Sequence, residues 1–353
     1  MRRFALAVAV GLAVSGSSLE AQGPGLAFSL FERYLDVFRI EAGIPGLSAT
    51  ISRQGVIVWE GSFGRRDVEG NLPASPDTPY QISGLSQTIG ATLLLKECVD
   101  QGSAEVTDPV RRWSPLYPDA VTTLRDLLSH TAPGGLSYQY NPGRFAALSG
   151  PVEVCAGTPY REVLVREVLD RLAMLDSAPD RLSGNASPEI VTQLGLQRIA
   201  RYNAVLARMA VPYRLGPGGR LQRSLDPIPV PVTAADGIVS SVRDLARFDA
   251  ALNGTLLLSP TTRTLAWSQV FAGPLPLPSA LGWYAQNYED EPIVWQFGLI
   301  RGGHSGMIIK APNRGLTLIM LANTDGLVAP FRLERGDVTA SLFARLFLRI
   351  FVP

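Results

Sequence analysis

The chain is short of the side chains that most often carry polar chemistry. Its 353 residues include two lysines, Lys96 and Lys310, against thirty arginines, two histidines, His130 and His304, and two cysteines, Cys98 and Cys155. Two histidines far apart in sequence make no H-E-x-x-H pair, so no metal and no cofactor is expected. Two cysteines cannot build a disulfide scaffold. They suffice for one bridge, but each lies in an apolar helical pattern, "LLLKECVD" and "PVEVCAG", where a free buried thiol is common; both readings stand. Charge of either sign is nowhere gathered into a run, and 32 basic against 31 acidic residues leave a net charge of +1. That excludes a phosphate-neutralising surface, and with it nucleic acid as a partner.

Also missing is an apolar run of the roughly 20 residues that span a bilayer. The stretch Phe4 to Val14 is shorter. It follows Met1-Arg2-Arg3 and gives way to small and polar residues up to a cleavage position after Ala21, which are the three parts of a secretory signal. The expectation is an exported protein, periplasmic or secreted, with a signal at 1–21, a single domain from 22 to 353 and no transmembrane segment.

What the chain does have is enough apolar residues, 46%, to bury a large core. Phe28, Phe31, Leu35 and Phe38 recur at helical spacing in "AFSLFERYLDVFRIEA". "LSATISRQGVIVWEGSFG" alternates about a Gln-Gly turn and predicts a hairpin. A helix follows Ile82, and from 106 to 230 the pattern is mainly helical with Pro- and Gly-rich connections. "ALGWYAQNY", "EPIVWQFG", "GMIIKAP" and "LTLIMLAN" predict four antiparallel strands, and a last helix is predicted from the capping residue Asp337. "LGPGGR" and "GLIRGG" are glycine turns between strands more readily than phosphate loops. Strands at both ends with helices between predict an α+β body, about 22–105 and 231–353, carrying an inserted helical lobe, about 106–230.

The segments "TPYQISGLSQTIGATLLLKECVDQG", "VTTLRDLLSHT", "TAADGIVSSVRDLARFDAAL", "VWQFG" and "LTLIMLANTDGL" resemble, in order and spacing, the serine β-lactamase and penicillin-binding-protein-like hydrolases. The branch with class C β-lactamases, D-alanyl-D-alanine carboxypeptidases and related esterases is the nearest likeness. The resemblance implies the β-lactamase/transpeptidase-like fold, an antiparallel sheet flanked by helices. It also implies acyl transfer by a serine activated by a lysine one turn along, S-x-x-K, with a tyrosine relaying the proton and a lysine- or histidine-bearing strand closing the site.

Laid on that pattern, "YQISGLSQTIGATLL" puts Gly84 at the nucleophile position and Gln87 at the lysine position. No register shift rescues it, because the residues three before Lys96 and Lys310 are Leu93 and Met307, so the chain contains no S-x-x-K. "YQYNPGRFAAL" offers Tyr140 as the phenol, with Tyr138 competing and Pro142 where asparagine is expected. The closing strand reads Trp295-Gln296-Phe297-Gly298, with glutamine for histidine. His130 matches a position taken as structural, and the role of His304 is open. The expected function is therefore an exported relative of these hydrolases, more a non-catalytic homologue than an enzyme. Its cleft, at Gly84, Gln87, Tyr140, Gln296 and Gly298, would hold a peptidoglycan-like peptide, another small molecule or a protein. The competing reading is an active serine hydrolase with a relocated nucleophile, Ser83 or Ser86, of which Ser83 suits a helix N-cap and Ser86 is turned about 200° away.

Overall fold

The computed structural model describes residues 24–185, 187–225 and 229–353; the expected signal at 1–21 lies outside them. The predicted hairpin forms from β1 (Gly46–Arg53) and β2 (Val56–Asp67). Gln54 and Gly55 at its turn both have positive φ, 50° and 78°, the twist-matched two-residue connection that a glycine makes cheap. Leu72–Pro73 adds a short third strand, β3. The C-terminal strands are β4 (Tyr284–Tyr288), β5 (Glu291–Leu299), β6 (Ser305–Ala311) and β7 (Leu316–Ala322). Together they make one seven-stranded antiparallel sheet in the order β4-β5-β6-β7-β1-β2-β3, so the two ends of the chain meet at the β7–β1 pairing.

Successive side chains on a strand face opposite ways, and the sheet separates two cores. On one face Leu47, Trp295, Phe297, Met307 and Met320 pack beneath α1 (Pro24–Glu41) and the C-terminal helix. On the other, Val294, Ile308, Ile319 and Leu321 join the apolar residues of α2 (Ser86–Leu94) and those of the helices between 124 and 206 in one continuous core. Because the body and the helical insert share that core, the insert is held against the sheet rather than tethered to it. "LGPGGR" forms the turn of a small hairpin, Tyr213–Leu215 with Leu221–Arg223, and "GLIRGG" the turn between β5 and β6.

Two readings of the sequence are settled here. Cys98, just beyond α2, is bonded to Cys155 on α3 (Ser149–Ala156), with Cα atoms 5.5 Å apart. Both helices are apolar on the sides that meet, so the same pattern that suits a buried thiol suits a buried bridge. Closing a loop of 57 residues, it stabilises the fold by about 4 kcal/mol in the chain-entropy account. The last helix does not start at Asp337. That residue caps only the single turn Val338–Ala340, whereas Ser341 is extended and its hydroxyl accepts from Ala344 N. The final helix, Leu342–Phe351, is therefore capped by Ser341.

Candidate functional site

The chain reaches the site through Tyr80–Gln81, which pairs with Val239–Ser240, and a single tight turn, Ser83–Leu85, that leads into α2. Gln87 is in the first turn of α2 and fully buried. Alternation along β5 sends Trp295 and Phe297 into the core under α1, and so turns Gln296 towards α2. Residues 87 and 296, more than two hundred positions apart in sequence, meet there: Gln296 Nε2 donates to Gln87 Oε1 at 3.4 Å and to the Gly282 carbonyl at 3.3 Å, while Phe297 N–H donates to Gln296 Oε1 at 2.9 Å.

His130, read from the sequence as structural, completes this network. Its Nδ1 accepts from Asn141 N–H at 3.3 Å, so the proton sits on Nε2, which donates to Gln87 Oε1 at 2.9 Å. Burial, with Arg144 nearby, lowers the imidazole pKa to about 3, so the ring is neutral at ordinary pH. No motif in the sequence marked this contact, because it depends on how the segment after 124–128 folds back onto α2. The same segment decides between the two tyrosines. The Tyr140 ring lies 4.8 Å from the His130 ring and 5.6 Å from that of Phe297, tilted against both. Tyr138 instead points to the sheet edge, its hydroxyl 2.6 Å from that of Tyr284 and donating to the Glu334 carbonyl. Burial pushes the Tyr140 phenol up to about 12, with the adjacent Gln87 offsetting part of the rise, so Tyr140 can donate a hydrogen bond but not act as a base at neutral pH. Pro142, out of place in the motif, begins a short helix that Asn141 caps.

The position that aligns with the family's nucleophile is closed. A Cβ on Gly84 would lie 2.6 Å from the Phe297 carbonyl oxygen, and one on Gly298 would lie 2.0 Å from the Ile82 carbonyl. Loop and strand are in main-chain contact where a nucleophile and its substrate would need room. Gly84, Gln87, Gln296 and Gly298 are all buried, and Tyr140 alone of the five expected cleft residues is partly exposed. The two flanking serines are held differently. Ser83 has a left-handed φ of 45° and is no helix cap; its hydroxyl donates to the Leu299 carbonyl at 3.2 Å. The cap position of α2 falls on Leu85 because the chain enters through an extra tight turn. Ser86 is fully buried and its hydroxyl has no partner among the described residues.

Neither lysine serves the site. Lys96 is paired with Glu97 and Glu167. Lys310, on the same face of the sheet as Gln296, is held by Asp249, by Asn253 Oδ1 at 2.9 Å and against the Trp267 ring. His304 is buried, with Nδ1 accepting from Gln81 N–H and Nε2 bonded to the Ala210 carbonyl, which makes it a strut of the loop rather than a groove residue. Beside the closed seam, a cavity of about 130 Å³ opens among Gln81, Asp236, Gly237, Val230 and Ile300. Among the described residues no group of histidine, cysteine or carboxylate side chains could hold a metal ion.

Esterase EstB of Burkholderia gladioli is 23% identical over 84% of this chain and 91% of its own length. The human mitochondrial serine beta-lactamase-like protein LACTB is 32% identical over a shorter stretch, 26% of this chain and 18% of its own. Among solved structures, the octameric penicillin-binding protein homologue from Pyrococcus abyssi superposes with a TM-score of 0.71 at 19% identity, covering 91% of this chain and 77% of that one. The D-alanine carboxypeptidase AmpC from Burkholderia cenocepacia gives 0.69 at 18%, covering 92% and 99%. These likenesses establish the β-lactamase/transpeptidase-like fold. The Beta-lactamase family model matches residues 29–340, nearly the whole described chain, and the protein belongs to that family of serine hydrolases and their relatives.

Proposed function

We propose that this protein is an exported, non-catalytic member of the Beta-lactamase family that binds a ligand beside the position its active relatives use for acylation. The observation that carries the reading is the pairing of Gly84 with the Phe297 carbonyl: the chain lacks a nucleophile there and has no space for one. A serine hydroxyl needs a base, and the three groups around the vacancy, Gln87, Gln296 and neutral His130, are already bonded to one another.

Support for export comes from the signal-like N-terminus and from the Cys98–Cys155 bridge, a bond at home in oxidising compartments. Intact mass of protein recovered from an exported fraction should place its first residue near Gln22; retention of Met1 would rule export by cleavage out. The ligand part rests on the cavity at Gln81 and Ile300, whose volume of about 130 Å³ suits one side chain or terminal group of a peptide. Muropeptides ending in D-alanine should raise Tm, and identical melting with and without them would remove that class.

The central test is acylation. Fluorescent penicillin and a phosphonate serine probe should leave the protein unlabelled. Gly84→Ser with Gln87→Lys should also stay unlabelled while folded, since the new Cβ meets main chain. Stoichiometric labelling of the natural protein at Ser83 or Ser86 would establish a relocated nucleophile and overturn the proposal.

A further inference from the structure

The face of the molecule opposite the closed seam is formed by α1 and the C-terminal helix Leu342–Phe351, designated α4, lying side by side over the sheet. Each helix spends one stripe on the core: Phe31 and Leu35 from α1, Phe343 and Phe347 from α4. Each then carries a second apolar stripe that the fold leaves wholly or partly uncovered. At 100° per residue, Leu26, Leu30, Tyr34 and Val37 share one side of α1, and all four are exposed, Tyr34 to 48%. On α4 Leu342 is exposed in the same way, and Leu346 and Ile350, at the next two turns, are half-buried, packed against the core on one side and lining the groove on the other. Between the two stripes runs a groove of about 440 Å³ floored by Phe38. A helix that is apolar on two sides is ordinarily covered on both.

Charge decides what covers it. Arg345 and Arg349 are exposed, one turn apart on the rim of this groove, and Arg33 projects beside the α1 stripe. None of the three makes a salt bridge among the described residues, whereas Arg39, on the core side of α1, is paired with Asp36. α4 contains no acidic residue; on α1, Glu32 and Asp36 point away from the stripe, and Glu41, exposed at the last position of the helix, is the one carboxylate in line with it, against three arginines. A second copy of the chain would set these arginines against each other, and an apolar protein partner would leave them unanswered. Apolar side chains with unpaired arginines at their margin match an anionic lipid surface, in which the apolar stripes enter the acyl boundary and the guanidiniums meet headgroup phosphates. We propose that α1 and α4 together form a peripheral docking face for an anionic bilayer, lying in its plane with the sealed seam turned away.

The test is co-sedimentation of the full chain with vesicles of phosphatidylcholine alone or mixed with phosphatidylglycerol. All variants share the N-terminal apolar stretch, so differences between them report the helical face. The natural protein should partition to the mixed vesicles and weaken as salt is raised. Arg345→Glu with Arg349→Glu should reduce that partitioning by at least about 25-fold, at roughly fivefold per arginine lost near a charged leaflet, with repulsion of the new carboxylates adding to it. Leu342→Ser with Leu346→Ser should reduce it on both vesicle types, and circular dichroism should show both variants folded, since Leu342, Arg345 and Arg349 are exposed and Leu346 stands only at the margin of the core. Equal binding to neutral and mixed vesicles, or salt-independent binding that survives charge reversal, overturns the proposal. So does a dimer in sedimentation velocity that dissociates on Leu342→Ser with Leu346→Ser, which would assign the face to self-association.

Discussion

Two polar clusters are buried on the same face of the sheet, close enough to compare directly. Lys310 on β6 stands opposite Val294 of β5, one diagonal step from Gln296. Around Gln296 everything is neutral: two amides and an uncharged imidazole that bond mainly to each other. Around Lys310 everything is arranged for charge, with Asp249 and Asn253 converging on the ammonium from the helix Val242–Asn253 and the Trp267 ring closing over it. The fold can thus bury a lysine on this face, provided an anion is built beside it. At the position where the family's chemistry calls for a lysine, no anion is present and a glutamine sits instead. The polar groups of this cluster largely satisfy each other, although Gln87 Nε2 and the Ser86 hydroxyl are among the buried polar atoms that find no partner among the described residues.

The comparison breaks most visibly at the charged cluster. Lys310→Met leaves Asp249 buried and unpaired and should cost roughly 3–5 kcal/mol in urea unfolding, while Lys310→Met with Asp249→Leu should recover most of it. If the single change were as mild as the double, the pair would not be the buried ion pair described here.

At the neutral cluster, Gln87→Lys introduces an ammonium with no anion to meet it. Its pKa in the folded state should fall below the usual lysine value, so the unfolded chain holds the proton more tightly and the variant is destabilised at neutral pH, by about 3 kcal/mol. Because the folded pKa is depressed, that deficit must shrink as pH rises from 7 towards about 10. A deficit that stays constant with pH would mean the new side chain has reached solvent or a carboxylate.

A smaller effect follows from His130. Its pKa is lowered to about 3 in the fold from 6.5, so its contribution is complete above pH 6.5 and is lost as pH falls from there towards 3. At pH 5 the loss relative to pH 7 should be about 2 kcal/mol, and His130→Gln should remove this part of the acid sensitivity. Parallel stability curves for the two proteins would place His130 in contact with water.

The neutral cluster also shows where sequence legibility stopped. The hairpin at Gln54-Gly55, the four C-terminal strands and the helical insert follow from period and turn chemistry, both local. The positions Gly84, Gln87 and Gln296 followed from spacing within short motifs. His130 was undervalued because its partner is on another element, and Ser83 was misassigned as a cap because an unforeseen tight turn moved the helix start to Leu85. Tyr140 and Tyr138 have near-identical surroundings in sequence and opposite ones in space.

By itself, then, the sequence determined that no S-x-x-K exists in this chain, since two lysines can be checked one by one, and that the order of elements matches an α+β hydrolase scaffold. Only the tertiary structure decided that the Phe297 carbonyl closes on Gly84, that Cys98 and Cys155 are joined, and that α1 and α4 leave an apolar groove open between them. Each of these depends on the distance between elements that are remote along the chain, and side-chain type and periodicity carry no record of such distances.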